Sequence, residues 1–383
     1  MTVARICLSS AYYPPHMGGV EVFTQSLARE LSSRGVDVTV VTDAVAGDSG
    51  VTRDGNMQVY RMPAADPSGR FPALLGTREA RDLWERLTQQ PFDGIVVNTR
   101  FYPISLRMFE LARAQGTRPV LIEHGSSYLS IGNKQVDQAI RAYEDGIARI
   151  VRNADPRCYG VSAEAASWLG NFLLVPDGVI HNAIDAAAFR AQASGRDFRA
   201  EAGAGATTCI VAFTGRLIVE KGVWTLVEAA RQLVDEDIRF LVAGEGPELD
   251  RLRANAPANM RLLGRLDRPD VAALLAQADA FCFPSVYPEG LPTSLLEAAA
   301  CGAYIVTAPV AGAREVVPGE AFGTVLHAAQ PAAVREALER VLRDPIAARE
   351  AAQNCRDYVE RDFTWAKSAD AVMQACGLPA HAV

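Results

Sequence analysis

Short runs of β-branched and aliphatic residues alternate with longer amphipathic stretches along the chain. In the first half, Arg5–Ser10, Val36–Thr42, Asn56–Arg61, Gly94–Asn98, Pro119–Glu123 and Cys158–Ser162 read as strands. Helical spacing of apolar residues covers Gly19–Ser33, Thr77–Gln89, Ser105–Ala114 and Val136–Asn153. Repeated β–α alternation predicts a mostly parallel sheet covered on both faces.

The pattern breaks over 185–207. Gln192–Thr207 is rich in Ala, Gly and charge and reads as a link into a second domain. Alternation then restarts with strands at Thr208–Gly215, Ile238–Ala243, Met260–Gly264, Ala280–Pro284 and Tyr304–Thr307, and with helices between them. The expected fold class is α/β, two tandem Rossmann-like doubly wound domains. The first covers 1–185 and the second 186–363. A closing segment, 364–383 with a helix at Trp365–Ala375, returns to the first domain. Two such domains place ligands in a cleft at the carboxyl ends of their strands.

Composition narrows the function classes. At 383 residues, 49% apolar and 22% charged, the chain can build two cores. A net charge of −7, acidic in both halves, argues against nucleic acid as a partner. The seven cysteines are scattered, and Cys7, Cys209 and Cys282 sit in apolar runs, as buried thiols in a reducing compartment do. No secretory signal or membrane-length apolar run is evident, so a cytoplasmic protein is expected. Peripheral contact with the inner membrane face stays open.

The chemistry concentrates in the second domain. The segment Pro284-Ser-Val-Tyr-Pro-Glu289-Gly290-Leu291-Pro-Thr293-Ser-Leu-Leu-Glu297-Ala-Ala-Ala-Cys-Gly302 carries two glutamates eight positions apart. A strand ends, a loop carries Glu289, and Pro292 suits the first helical position. The free N–H groups around Leu291, Thr293 and Ser294 favour phosphate through donors and dipole together. A diphosphate there leaves Glu297, about five residues along the helix, in reach of a ribose, and Glu289 in reach of a sugar on the other side. Each glutamate alone reads better as a solvated charge than as a ligand contact. Their joint setting between Pro-Glu-Gly and Ala-Cys-Gly argues for a site.

The second motif is Phe213-Thr-Gly215-Arg216-Leu-Ile-Val-Glu-Lys221-Gly222. Gly215 lets a ligand approach the backbone, while Arg216 offers a fork and Lys221 a point charge to phosphate oxygens. Fixed cations at a departing diphosphate stabilise its developing charge. Lys221 is the more telling of the two, because the chain has only Lys134, Lys221 and Lys367.

With Val179-Ile-His-Asn182-Ala-Ile-Asp185, these motifs resemble retaining glycosyltransferase family 4, the group 1 glycosyl transferases of GT-B fold. The resemblance runs over nearly the whole chain and is strongest over 205–320. It implies that Glu297 binds ribose and Glu289 the donor sugar. It also implies that Arg216 and Lys221 hold the diphosphate, that Arg265 and Leu266 meet the base, and that Gly290, Leu291 and Thr293 complete the donor site. Ala183 departs from the pattern, which commonly has Gly after the Asn.

In the first domain, Tyr13-Pro-Pro-His-Met-Gly18-Gly19-Val-Glu21 opens the first helix. Paired glycines at a helix start admit phosphate or sugar, although the dinucleotide spacing is absent and on their own they read better as a plain loop turn. His124 ends a strand and on its own reads as a structural histidine. The resemblance gives Gly18 and Gly19 to the donor and makes His124 a contact to its sugar, catalytic together with Arg216, Lys221 and Glu289.

The implied activity is transfer from a UDP- or GDP-sugar to a hydroxyl of a glycan or lipid-linked acceptor, with retention of configuration. Cell-envelope glycolipid, polysaccharide or other glycoconjugate synthesis is the setting it suggests. No cofactor or metal is expected, since Arg216, Lys221 and a helix terminus can replace a divalent cation. Asp235-Glu236-Asp237 spells a metal–diphosphate signature of another fold, but it falls at a helix-to-strand turn. Rival readings are a sugar-nucleotide 2-epimerase and a sugar-nucleotide-binding scaffold without turnover. The full set of charged motif residues fits both less well. Acceptor contacts are expected on loops within 61–81 and 126–140.

Overall fold

A computed structural model describes residues 3–16, 18–45, 49–130 and 132–379. Ile131, inside the 126–140 segment, and the last four residues of the closing segment, His381 among them, lie outside this description. The chain divides into two compact units, Met1–Asn182 with Trp365–Val383, and Ala183–Thr364.

Among the described residues the first unit has nine strands: β1 Arg5–Ser9, β2 Asp37–Ala44, β3 Gly50–Asp54, β4 Met57–Ala65, β5 Ala73–Leu74, β6 Gly94–Asn98, β7 Val120–Glu123, β8 Arg157–Gly160 and β9 Pro176–Val179. Their order is β3-β4-β2-β1-β6-β7-β8-β9, with β5 on β4. The pairs β3–β4 and β4–β5 are antiparallel and the rest are parallel. β3, β5 and β9 have no counterpart in the sequence reading. β5 has two residues and β9 opens Pro-Asp-Gly, too short and too turn-like to show a strand period. β4 runs four residues beyond the expected Arg61, because Met62 extends the buried face.

The closing helix Trp365–Ala375 packs on the helix Gly19–Ser33. The Arg34 guanidinium binds Asp370 at 2.5 Å and the Ala366 carbonyl at 2.8 Å, and the Trp365 ring meets Phe23 at 5.7 Å. Ser368 donates to the carbonyl of His181, and Arg157 to that of Ala375. The helix therefore completes the first unit through polar anchors at both ends and apolar packing between them.

The second unit is a six-stranded parallel sheet of β10 Cys209–Thr214, β11 Ile238–Ala243, β12 Met260–Gly264, β13 Ala280–Phe283, β14 Tyr304–Thr307 and β15 Gly323–Val325. The order β12-β11-β10-β13-β14-β15 reverses direction between β10 and β13. Loops leaving these two neighbours diverge and open a crevice at the carboxyl edge. Every residue of β10 and β13 is buried, as a parallel strand covered on both faces requires.

The stretch Gln192–Thr207, read as a link, belongs to this second unit. Asp197 caps the short helix Phe198–Glu201, whose Phe198 is fully buried. Arg196 bridges Glu201 and Asp270 at 2.6 and 2.9 Å. Polar composition concealed a segment held down by one aromatic anchor and an ion-pair network. The acidic triplet Asp235–Asp237 lies at the turn before β11, where Asp237 accepts from the hydroxyls of Thr207 and Thr208.

Candidate active site

The carboxyl ends of β10 and β11 leave a bare backbone floor. The amide of Gly215 donates to Ala243 and that of Gly244 to Gly264. A Cβ on Gly244 would stand 1.8 Å from the Gly215 carbonyl oxygen, so only glycine lets these two loops run side by side. Above this floor lies a cavity of about 480 Å³ lined by Gly215, Arg216, Gly244, Glu245, Arg265 and Leu266, among others. Arg216 and the Arg265–Leu266 pair, 49 and 50 positions on in sequence, thus face one space.

The rest of the Arg216–Gly222 loop is fastened to the end of β13. Gly222 adopts φ 73°, and a Cβ there would meet the Pro284 carbonyl oxygen at 1.9 Å. The amide of Val286 donates to the Glu220 carbonyl at 2.7 Å. This close approach delivers Lys221 to the Pro284–Glu289 loop. Its ammonium pairs with the Glu289 carboxylate and lies 5.2 Å and 5.1 Å from the ring centroids of Phe283 and Tyr287. The Arg216 guanidinium sits 5.7 Å from the same Tyr287 ring. Tyr287 joins the two cations through its π face. Nothing in its sequence context marked it for this position.

The following helix spans Thr293–Ala300. Pro292 is its extended N-cap, at ψ 118°, one position earlier than the first helical position expected. The first turn holds no acidic residue, so its N–H groups are not opposed by a carboxylate of their own. Gly290 and Leu291 are buried, and a Cβ on Gly312 would meet the Leu291 side chain at 2.8 Å. Thr293 is half-buried at the helix start.

Glu297 has a different partner. Its carboxylate lies 3.9 Å from the Arg268 guanidinium, which covers the Phe189 ring at 5.2 Å. Burial pushes the Glu297 carboxyl up to about 7, and Arg268 pulls it the other way without prevailing. An ion pair this long leaves the carboxylate under-compensated.

In the first unit, Gly18 is the N-cap of the helix Gly19–Ser33. The carboxylate of buried Glu21 reaches back over it. A Cβ on Gly18 would stand 2.4 Å from Glu21 Oε2, whereas the space at Gly19 is open. His16 holds the other Glu21 oxygen at 2.8 Å and stacks on Tyr12. Of the two glycines, only Gly19 presents the open backbone that the sequence suggested for both.

His124 follows β7. Its Nε2 lies 2.8 Å from Asn98 Oδ1 at the end of β6, and its ring meets Phe23 edge-on at 4.7 Å. Burial pushes the imidazole down to about 3, so it is neutral throughout the physiological range. The neighbouring Glu123 pairs at 2.5 Å with Arg100, which also pairs with Glu144 and lies 3.6 Å over the Phe172 ring. All three charged residues are buried. Glu144 in turn accepts from the Leu129 amide at 2.9 Å, so the network reaches the segment after His124. Sequence reasoning missed Arg100, Glu144 and Asn98. An arginine in a loop reads by default as a surface cation.

The profile of the family described as "Glycosyl transferases group 1" matches residues 196–361, and that of "Glycosyltransferase Family 4" matches residues 17–188. The chain belongs to these glycosyltransferases. It is 24% identical to an uncharacterized glycosyltransferase of Methanocaldococcus jannaschii over 96% of this chain and 97% of that protein. A GDP-mannose-dependent monoacylated alpha-(1-6)-phosphatidylinositol monomannoside mannosyltransferase of Corynebacterium glutamicum is 34% identical over 42% of this chain and 44% of its own length. Among solved structures, Anabaena HepE in complex with UDP-glucose matches with a TM-score of 0.71 at 15% identity, over 97% of this chain and 99% of that one. The fold of this glycosyltransferase is therefore GT-B, α/β with mostly parallel sheets in two domains.

Proposed function

We propose that this glycosyltransferase moves a sugar from a UDP- or GDP-linked donor to a hydroxyl acceptor, retains the anomeric configuration, and needs no metal ion. The observation that carries the reading is the meeting of Arg216, Lys221 and Glu289 around Tyr287, beside a helix start free of acidic residues. Two fixed cations and oriented N–H groups suit a departing diphosphate. Arg265 and Leu266, which line the same cavity as Arg216, are the proposed base contacts. Glu297 is the proposed ribose acceptor, and Gly19 and His124 supply the first unit's part of the donor site, Gly18 being covered by the Glu21 carboxylate. The C. glutamicum relative supports a nucleotide diphosphate sugar as donor, and so does the UDP-glucose complex of HepE.

With no assigned protein nucleophile, the acceptor hydroxyl attacks on the face the diphosphate leaves, and a phosphate oxygen takes its proton. The setting we propose is glycolipid, polysaccharide or other glycoconjugate synthesis in the cytoplasm. Among the described residues no helix is long and apolar enough to cross a membrane.

The test is donor turnover by the purified chain across a panel of UDP- and GDP-sugars, with and without EDTA. The anomeric configuration of the product is read by NMR. Turnover of one donor, undiminished by EDTA and with retained configuration, is expected. Inverted product, or activity lost to EDTA and restored by Mn²⁺, would overturn the respective part.

A further inference from the structure

Asn98 is fully buried at the end of β6 and uses every polar atom of its side chain. Its Nδ2 donates to the Ser9 carbonyl at 3.0 Å and to Thr24 Oγ1 at 3.2 Å. Thr24 spends its own proton on the Val20 carbonyl at 2.8 Å, so toward Asn98 it can only accept. A backbone carbonyl likewise only accepts. Both contacts therefore require the NH₂ group of Asn98 on that side. Turning the amide over would set its oxygen against two acceptors. The Asn98 oxygen must then face His124, 2.8 Å from Nε2. A carbonyl oxygen can only accept, so Nε2 carries the proton. In a neutral imidazole the other nitrogen is then an unprotonated acceptor. Nδ1 makes no hydrogen bond within the described residues, and His124 is only half-buried.

We infer that Asn98 is a positioning residue that locks His124 in the Nε2–H tautomer, so that Nδ1 presents a lone pair to a sugar hydroxyl. His124 thus takes a hydrogen bond from its ligand and gives none, and it does not serve as a proton donor to the reaction. The direction is set by a chain running from His124 through Asn98 and Thr24 to the first turn of the helix Gly19–Ser33, with a branch to β1. The inference rests on the proposed placing of His124 against the donor sugar, but the tautomer can be measured without any ligand.

The experiment is nitrogen-15 NMR of the full chain labelled at histidine, at pH 7, with His124 assigned by its loss in His124→Gln. The expected spectrum shows His124 Nε2 as a protonated nitrogen and Nδ1 as an unprotonated one, in a single tautomer. A protonated Nδ1, or a mixture of tautomers, overturns the inference whatever the enzyme's activity. In a folded Asn98→Leu, verified by its melting curve, His124 should become a tautomer mixture, and persistence of the single tautomer would equally overturn it. Adding UDP-glucose or GDP-mannose, whichever is turned over, should shift Nδ1 as it accepts a hydrogen bond. An Nδ1 resonance unmoved by a turned-over donor would leave the tautomer intact and defeat the placing of His124 against the sugar.

Discussion

Lys221 and Glu289, 68 positions apart, form an ion pair at the carboxyl edge of the second unit, each only 13–15% exposed. In the proposed reaction a diphosphate competes with Glu289 for the Lys221 ammonium, and Glu289 is released toward the sugar. The two motifs are then parts of one device, in which each charge is compensated before the donor arrives.

That relationship separates the two glutamates of the motif. Glu289→Ala should leave free nucleotide diphosphate binding unchanged or slightly tighter, because Lys221 loses its internal partner, while kcat with the sugar donor falls. Glu297→Ala should weaken donor and free diphosphate alike, by about 1–3 kcal/mol for a charge-assisted hydrogen bond. Calorimetry with both ligands on both variants makes the comparison. Equal loss of the free diphosphate in the two variants would contradict the assignment.

Glu297 also predicts a pH dependence. Its carboxyl is raised by burial to about 7, so in the folded protein it is protonated below that value and ionised above it. Only the ionised form is a full acceptor for ribose hydroxyls, so diphosphate affinity should rise as pH increases through 7. The same shift costs stability as pH rises from the ordinary carboxylate range to about 7, because the folded state holds the proton more tightly than the unfolded chain. Glu297→Gln should flatten the affinity profile and raise the melting temperature at pH 8 relative to wild type. Parallel profiles for the two proteins would argue against it.

His124 is held neutral by burial, to about 3, so its ionisation should leave no inflection in kcat between pH 5 and 9. His124→Ala should cut kcat at least ~10-fold, the worth of one hydrogen bond of ~1.4 kcal/mol, with little change in donor affinity. Steady-state kinetics beside calorimetry decides between this and a purely structural histidine, for which kcat would not move.

Arg100 compensates two buried carboxylates, Glu123 and Glu144. Arg100→Met strands both, and the first unit should lose about 3–5 kcal/mol of stability, read from urea unfolding. Adding Glu123→Gln and Glu144→Gln should recover much of it. A single variant that unfolds at the wild-type urea concentration would show that the network contributes nothing.

The sequence by itself determined the alternation of strands and helices, the two doubly wound sheets, and the residues of the charged motifs. Apolar period, glycine and proline punctuation and local charge are properties of short segments, and Cys209–Thr214 or Ala280–Phe283 carry them whatever lies elsewhere in the chain. Tertiary structure decided the pairings. That Lys221 meets Glu289 and Glu297 meets Arg268 depends on which loops leave neighbouring strands, and that Gly18 is covered by Glu21 depends on a side-chain conformation. Arg100 and Asn98 were illegible for the same reason. A buried polar residue is recognisable only by its partners, and those of Arg100 and Asn98 lie between 23 and 89 positions away in sequence, brought together by the order of the strands.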